Sequence, residues 1–266
     1  ISFDIKEGEI FSLLGPNGAG KTTTISVLST LFAPTSGDAV ICGHSVKEAP
    51  MAVKRCIGVV PQELALYEDL TAQENLVFWG QMYGLTGKEL TTRISEVLEQ
   101  IGLADKARQR IKTYSGGMKR RVNIGVGLLH KPRLLFMDEP TVGIDPQSRR
   151  AILDSVKELN RQGMTVLYTT HYMEEAQELS DRVGIIDHGE LIALGTQAEL
   201  TRQVGETDTL VLHIGENEDP QPLVEAFKIL PGVLQATPTD HEIAIVTPSA
   251  EELLAPVVTQ ADRMGI

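Results

Sequence analysis

The fold of this chain is decided by Gly15-Pro16-Asn17-Gly18-Ala19-Gly20-Lys21-Thr22, which fits the G-x-x-x-x-G-K-[ST] pattern of a phosphate-binding loop. Glycines let the backbone turn inward, so that successive N–H groups point at one anion. Lys21 supplies a mobile cation for the β- and γ-phosphates, and the Thr22 hydroxyl is suited to bind Mg²⁺. The stretch therefore predicts a nucleotide site.

The segments on either side of this loop predict a strand and a helix. Ile10 to Leu14 is an apolar run long enough for a buried strand. Residues 23–28 would open a helix whose N-terminal dipole lies behind the phosphates. Upstream, Phe3 and Ile5 alternate with polar residues, which predicts one more strand.

Two carboxylates follow another apolar run, residues 134–137, which predicts a second buried strand. Asp138 at its end is positioned to hold Mg²⁺ directly or through water. Glu139 is free to polarise a water against the γ-phosphate, which is the role of a general base. An isolated Asp-Glu pair would be interpreted as a solvated strand end, but beside a phosphate-binding loop it favours hydrolysis.

A second anion-binding arrangement is predicted at Ser115-Gly116-Gly117. Ser115 is a typical N-cap residue, and Val122, Val126 and Leu129 recur on one face of the helix that follows. Two phosphate-binding helix ends in one chain suggest that nucleotides are shared between chains, although spacing alone does not prove it. We interpret Lys119-Arg120-Arg121 in this helix as a solvated face.

These motifs together resemble the nucleotide-binding subunit of an ATP-binding-cassette (ABC) transporter. Ser115-Gly116-Gly117 is similar to the family's signature, with Tyr114 for the usual Leu and Met118 for the usual Gln. Gln62 matches the Q-loop glutamine, Asp145 in Val142-Gly143-Ile144-Asp145 the D-loop aspartate, and His171 the switch histidine. His171 also follows a buried-strand run, residues 166–170, which predicts that it shares a sheet edge with Glu139. The resemblance covers residues 1 to about 200.

The resemblance implies a fold and a site. The fold is the α/β, P-loop NTPase, ABC-type ATPase domain, with a mixed-sheet core and a helical subdomain at about residues 63–130. The active unit is a head-to-tail dimer with two ATP molecules, each between the loop of one subunit and the signature of the other. The implied catalytic residues are Glu139, His171, Lys21 and Gln62. The implied ATP contacts are Gly15, Pro16, Asn17, Gly18, Ala19, Gly20, Lys21, Thr22, Thr23, Ser115, Gly116, Gly117 and Asp145. The implied Mg²⁺ ligands are Thr22, Gln62 and Asp138.

One departure from the family pattern lies in the signature. Met118 lacks the polar contacts of the usual glutamine, whereas Ser115 and Gly117 remain. We therefore expect altered coupling between subunits rather than lost activity.

The other departure concerns the adenine-stacking aromatic residue, which the family places before the region where this sequence starts. Phe3 and Phe11 are too close to Lys21 to take its place. Because Ile1 is not an initiator methionine, we expect that a preceding segment is missing and that ATP binds more weakly without it.

Between the loop and the signature, the sequence predicts helices. Thr71 and Glu74 form a capping box that opens a helix through Trp79 and Tyr83, and residues 88–101 form a second. In the family, the groove beside the Q-loop receives the coupling helix of the membrane subunit. We interpret Trp79 and Tyr83 as core residues rather than contacts.

The composition changes near residue 200. Of the net charge of −12, residues 201–266 hold −8, from 11 acidic and 3 basic residues. Residues 205–266 predict strand, helix, strand and helix, at 210–214, 223–230, 243–246 and 251–261. This small α+β domain resembles the C-terminal extension of drug-export ATPases of the daunorubicin-resistance type. Dimer contact, regulation and simple packing all remain open as its role.

Composition excludes several classes of protein. With 42% hydrophobic and 23% charged residues, the chain is neither disordered nor a disulfide-rich miniprotein. Cys42 and Cys56 have no metal-ligand spacing and are typical of reduced cytosolic thiols. The sequence contains no run of about 18 apolar residues, the length that a membrane-spanning helix needs. The negative net charge argues against a nucleic-acid partner.

The resemblance to the ABC transporter family implies a cytoplasmic ATPase, peripheral on the inner face of the cell membrane. It would drive a separate integral-membrane permease, with export of a drug-like or lipidic compound. One alternative is a soluble ABC ATPase that acts on ribosomes or DNA. Another is a regulatory subunit with little catalysis, which Met118 favours and Glu139 and His171 oppose.

Overall fold

The apolar runs of the first 197 residues supply the strands of a six-stranded sheet. The computed structural model describes residues 1–204, 208–215, 220–239 and 242–264, and residues 1–197 and 198–266 form two units. The strands of the first unit are β1 (Ile10–Leu14), β2 (Val40–Ile41), β3 (His44–Ser45), β4 (Ile57–Val60), β5 (Leu134–Asp138), β6 (Thr165–Thr170), β7 (Arg182–Asp187) and β8 (Glu190–Gly195).

The strand order brings the predicted motifs to one edge of the sheet. That order is β4-β5-β6-β1-β7-β8, and β2 and β3 form a separate hairpin. All neighbours in the sheet are parallel except β7 and β8. Leu14 pairs with Thr170, and Asp138 pairs with Thr169. The carboxyl ends of β1, β5 and β6 therefore lie side by side, where open α/β sheets bind ligands.

The helices of the first unit cover both faces of this sheet. They are α1 (Lys21–Leu28), α2 (Pro50–Cys56), α3 (Ala72–Met82), α4 (Gly87–Gln100), α5 (Gly116–Leu128), α6 (Pro146–Arg161) and α7 (Met173–Leu179); the next helix, α8 (Gln197–Val204), begins at the boundary residue and belongs almost entirely to the second unit. Alternate strand residues enter different cores, because side chains of a strand point to opposite faces. Ile10 belongs to the core that includes α3 to α6, and Phe11 to the core beneath α1 and α2.

The helical region follows the predicted pattern closely. Thr71 and Glu74 form the capping box of α3, and Ser115 accepts a hydrogen bond from the Met118 N–H at the start of α5. Trp79 is partly buried against the first core, and its indole N–H donates to the Ala65 carbonyl. Tyr83, interpreted above as a core residue, is instead 41% exposed, because it caps the end of α3.

The predicted strand at Phe3 and Ile5 is wrong. Residues 1–9 form no strand and pair with none of the six strands of the sheet. Phe3 instead stacks on Phe11 with ring centroids 5.2 Å apart, and both Phe3 and Ile5 pack against the second core. An alternating pattern forms a strand only where a partner strand is available.

The second unit contains a three-stranded antiparallel sheet in the order β10-β11-β9. Its elements are β9 (Asp208–His213), α9 (Pro220–Lys228), β10 (Gln235–Thr239), β11 (Glu242–Thr247) and α10 (Ala250–Met264). Leu223, Phe227, Ile243 and Ile245 are fully buried in its core. The unit thus has its own hydrophobic core, although a net charge of −8 lies within residues 201–266.

The sequence misses one strand of this unit, β10. Gln235-Ala236-Thr237-Pro238-Thr239 is polar and contains a proline, which argues against a strand in the middle of a sheet. Since β10 lies at the edge of the sheet, Pro238 is tolerated there. Residue 205, where the sequence predicts the start of this domain, lies outside the described residues. Among the residues described, no helix is long and apolar enough to cross a membrane.

Candidate nucleotide site

The loop between β1 and α1 has a backbone that requires its glycines. A Cβ on Gly15 would lie 2.2 Å from the Ile186 carbonyl oxygen of β7, so no larger residue fits. Gly20 has a φ of 107°, which favours glycine. The loop is closed by a hydrogen bond from the Ala19 N–H to the Pro16 carbonyl (3.2 Å). No side chain caps the first turn of α1, so its N–H groups remain suited to an anion.

Lys21 is buried at the first position of α1 and points back into this loop. Its ammonium donates to the carbonyl oxygens of Gly15 (2.7 Å) and Pro16 (2.9 Å). It also forms an ion pair of 2.9 Å with Glu139. The structure thus brings the loop cation and the strand-end carboxylate together, as their positions in the sequence predict.

Glu139 is the group on which the site converges. Besides Lys21, Gln62 approaches it with Nε2 3.4 Å from Oε2, and His171 with Nδ1 3.3 Å from Oε1. The Glu139 side chain is nearly buried, and its backbone has a φ of 44°, in the left-handed region. That conformation costs about 1 kcal/mol or more for a residue with a Cβ. The side chains predicted as the P-loop lysine, the Q-loop glutamine and the switch histidine therefore meet at one carboxylate.

Thr169 of β6, which the sequence analysis missed, orients both carboxylate residues. Its hydroxyl donates to Asp138 Oδ1 (2.7 Å) and accepts a hydrogen bond from the Glu139 N–H (3.0 Å). The register of β5 and β6 places Thr169 opposite Asp138. Thr169 and Thr170 are adjacent hydroxyl residues at the end of this buried strand, and such a polar pair before His171 was the signal that could have revealed it.

Gln62 follows β4, and its backbone is held by α5. The Arg120 guanidinium donates to the carbonyl oxygens of Pro61 (2.8 Å) and Gln62 (2.6 Å). Arg120 is 4% exposed, so the interpretation of residues 119–121 as a solvated face is wrong at its centre. Burial lowers the pKa of this guanidinium. Lys119 pairs with Glu68.

The predicted signature and D-loop form a second cluster. A Cβ on Gly117 would lie 2.2 Å from Ser148 Oγ, so α5 and α6 make close contact here. Asp145 caps α6 by accepting a hydrogen bond from the Ser148 N–H (2.9 Å), and its bonds to Ser148 lower the pKa of its carboxyl. Ser115 and Gly116 are exposed.

The cleft around Glu139 contains only part of the predicted site. Its lining residues are Asn17, Gly18, Gly20, Lys21, Thr22, Thr23, Gln62 and Glu139. The signature residues Ser115, Gly116 and Gly117, together with Asp145, do not line it. The two residues by which the predicted signature differs from the usual sequence both make contacts within the chain: the Tyr114 hydroxyl donates to the Lys106 carbonyl, and Met118 packs against the first core.

The oxygen donors near the loop fit a magnesium ion bound together with phosphate. Thr22 carries a hydroxyl at the exposed start of α1, and Asp138 presents a carboxylate at the neighbouring strand end. Hard oxygen ligands of this kind suit Mg²⁺, which takes one or two protein ligands beside phosphates and water.

Comparison with known proteins found a matching family and several similar proteins. The ABC transporter family matches residues 1–142. The chain is 58% identical over 211 residues to the linearmycin resistance ATP-binding protein LnrL of Bacillus subtilis, covering 79% of this chain and 68% of that protein. It is 41% identical over 256 residues to the doxorubicin resistance ATP-binding protein DrrA of Mycobacterium tuberculosis, covering 96% and 75%.

Solved structures share the fold. An ATP-binding subunit of an ABC transporter is 33% identical with a TM-score of 0.67, and covers 76% of this chain and 85% of its own. A dimer of the ATP-binding cassette MJ0796 in a post-hydrolysis state, bound to ADP and Pi, is 29% identical with a TM-score of 0.65, over 73% and 88%. The predicted fold class is confirmed.

Proposed function

We propose that this chain, which belongs to the ATP-hydrolysing, ATP-binding subunits of the ABC transporter family, performs its chemistry through the Glu139 cluster and drives a separate membrane permease. The observation that carries the proposal is the convergence of Lys21, Gln62 and His171 on the Glu139 carboxylate. Each comes from a different element, so the arrangement requires the folded sheet.

Nucleotide binding rests on the loop between β1 and α1. Its N–H groups and the uncapped start of α1 would receive the phosphates, and Lys21 would exchange its carbonyl partners for phosphate oxygens. Thr22, Asp138 and Gln62 would hold Mg²⁺, which neutralises charge on the phosphates.

Hydrolysis needs a water aligned with the γ-phosphate and a group that accepts its proton. Glu139 supports this role because its carboxylate lies in the cleft beside the loop lysine. His171 and Gln62 both touch that carboxylate and would hold the water and the phosphate in line. Positioning of this kind supplies most of the rate enhancement in phosphoryl transfer.

A head-to-tail dimer would complete the site. Ser115, Gly116 and Gly117 are absent from the cleft of their own chain, and the first two are exposed. In the dimer they would contact the nucleotide of the partner subunit, with Asp145 next to them. The dimeric state of the similar MJ0796 cassette supports this arrangement.

The transport role rests on the relatives. Those named above are linearmycin and doxorubicin resistance proteins, which favours export of a drug-like compound by a permease that this chain would drive from the inner face of the membrane. The same names weigh against action on ribosomes or DNA.

Glu139→Gln tests the assignment of the base. The amide keeps the shape of the side chain but accepts no proton, so turnover should fall by about 10²-fold or more. ATP binding should persist, and ATP-bound dimer should accumulate in size-exclusion chromatography. Lys21→Ala provides the contrast, since it should lose ATP binding. Unchanged turnover of Glu139→Gln would refute the role of Glu139.

A further inference from the structure

A second buried carboxylate, Glu175 of α7, lies close to the switch histidine in sequence and has no role in the chemistry described above. It is 2% exposed. Its Oε1 accepts from the Thr141 hydroxyl (2.7 Å), and its Oε2 accepts from the hydroxyls of Tyr168 and Thr170 (2.9 Å each). The Arg149 Nε lies 3.5 Å from Oε1. All three hydroxyls are buried.

The energetic cost of this carboxylate argues that it does more than fill space. Burying an ionised group is unfavourable unless hydrogen bonds and a counter-charge compensate it, and well-packed apolar residues often stabilise such a position as well. Burial, followed by the charge of Glu175, raises the pKa of the Tyr168 hydroxyl well above its ordinary value, so Tyr168 remains a donor. Glu175 is therefore fully partnered, within one polar cluster.

One branch of this cluster reaches the backbone that carries His171. The Thr170 hydroxyl donates to Glu175 and accepts a hydrogen bond from the Tyr172 N–H (3.0 Å). Thr170 and Tyr172 are the two neighbours of His171 in the chain. The His171 ring also packs on the Tyr172 ring, with centroids 4.1 Å apart. The orientation of the switch turn thus depends on a hydroxyl whose direction Glu175 sets.

Two other branches lead to the segment after Glu139 and to the start of α6. Thr141 lies two residues after Glu139, and Arg149 lies in α6 shortly after its cap, Asp145. The Arg149 guanidinium also lies over the Tyr172 ring, 4.6 Å from its centroid. Glu175 therefore connects the base segment, the switch turn and the helix behind the D-loop.

We propose that Glu175 is a positioning residue that sets His171 relative to Glu139, and that it acts through the hydroxyl of Thr170. The inference rests on the roles proposed above for His171 and Glu139. Tyr168 and Thr170 donate to the same oxygen of Glu175 at the same distance, but only Thr170 continues to the switch backbone. Loss of the Thr170 hydroxyl should therefore affect the position of His171, whereas loss of the Tyr168 hydroxyl should affect only the stability of the fold.

The test compares Thr170→Val with Tyr168→Phe, each of which removes one hydroxyl bonded to Glu175. ATP turnover of the full chain is measured against ATP concentration, together with the thermal midpoint. Thr170→Val should lower kcat by about tenfold, as expected for the loss of one charge-assisted hydrogen bond, with KM within about twofold of wild type. Tyr168→Phe should lower the thermal midpoint but leave kcat within about twofold. Thr170→Ser, which keeps the hydroxyl, should restore turnover.

Glu175→Gln is the second variant, and it serves also if Thr170→Val does not fold. It should lower kcat without raising KM. The double variant of Glu175→Gln and Thr170→Val should be no slower than the slower single variant, because both substitutions interrupt the same series of contacts. Equal kcat losses in Thr170→Val and Tyr168→Phe, no rescue by Thr170→Ser, or additive losses in the double variant would overturn the inference.

His171→Ala distinguishes a failure of this inference from a failure of the proposed mechanism. If His171→Ala hydrolyses ATP at the wild-type rate, the switch role is wrong and the inference falls with it. If His171→Ala is slow while Thr170→Val and Tyr168→Phe behave alike, only the positioning role of Glu175 is wrong.

Discussion

Arg120 shows how the surroundings of one side chain decide its role. Its neighbours in the sequence are cationic and the run suggests a solvated face, yet Arg120 is buried and holds two backbone carbonyls. The carbonyls belong to Pro61 and Gln62, so a residue of the signature helix fixes the start of the Q-loop. A buried guanidinium without a carboxylate partner among its hydrogen bonds is costly, and these two carbonyls compensate for part of that cost.

Replacement of Arg120 by Met should therefore destabilise the chain by about 2–3 kcal/mol, because it removes both guanidinium hydrogen bonds and leaves Pro61 with only the longer bond from Asn123 (3.4 Å). Thermal or denaturant unfolding measures the change. Lys119→Met is the matched control from the same helix. Its ion pair with Glu68 is partly exposed and should contribute about 1 kcal/mol or less. Equal losses in the two variants would contradict the role assigned to Arg120.

At the scale of single residues, the positions proposed to carry the chemistry were predictable from the sequence, and the residues that contact them were not. Lys21, Asp138, Glu139 and His171 stand next to predicted buried strands, so their types and positions alone bring them to one sheet edge. The contacts of Thr169 and Glu175 form only after β5, β6 and α7 have assembled. The hydroxyl of Thr169 marks a polar position in a buried strand, but a single sequence does not show which groups Thr169 or Glu175 will contact.

The contact between α5 and α6 determines which glycine of α5 is required for helix packing. Two glycines open α5, but only one of them faces the other helix. A Cβ on Gly117 would meet the side chain of Ser148 at 2.2 Å, whereas one on Gly116 would meet Ile144 at 3.6 Å, an ordinary contact. The signature therefore needs glycine at position 117 for packing within the chain, independently of any nucleotide.

Gly117→Ala should destabilise the chain by about 1–3 kcal/mol, the usual effect of forcing extra volume into a packed contact. Gly116→Ala should be neutral or slightly stabilising, because alanine favours helix more than glycine by up to about 1 kcal/mol. Denaturant unfolding without nucleotide measures both. A second test is Ser148→Gly, which should recover much of the loss by removing the side chain that clashes. A Gly116→Ala loss as large as that of Gly117→Ala would contradict this packing.

Helices and strands were predicted correctly where the local sequence pattern matched the packing or pairing partner that the fold provides. The capping box fixed the start of α3, and the apolar runs fixed β1, β5 and β6. The strand predicted at Phe3 and Ile5 does not form, and no strand of the sheet pairs with these residues. The strand β10 was not predicted because its sequence contains Pro238, which an edge strand tolerates. In both cases the outcome depends on a distant strand, which periodicity does not report.

At the scale of the whole molecule, the proposed permease requires a docking surface on this chain. Leu64 and Tyr67 lie in the segment between Gln62 and α3, and both are exposed apolar residues, at 40% and 49%. The Tyr67 ring packs edge-on against Phe78 of α3, with centroids 4.9 Å apart. This segment begins at Gln62, whose amide approaches the Glu139 carboxylate, and Arg120 and Asn123 hold its backbone at Pro61, Gln62 and Ala65.

A charge placed in this segment should weaken the complex with the permease. In a pull-down from cells solubilised in mild detergent, the tagged wild-type protein should recover one polytopic membrane protein. Leu64→Glu should lower that recovery by about tenfold or more, since a buried unpaired charge costs several kcal/mol at an interface. Leu31→Glu is the control, because Leu31 is also exposed (70%) but follows α1 in a different part of the unit. Both variants should unfold at the wild-type temperature. If Leu64→Glu recovers as much of the membrane protein as the wild type does, this surface is not the docking site. If ribosomal or DNA-repair proteins are recovered in place of a membrane partner, the proposed transport role is wrong, whereas the ATPase assignment stands.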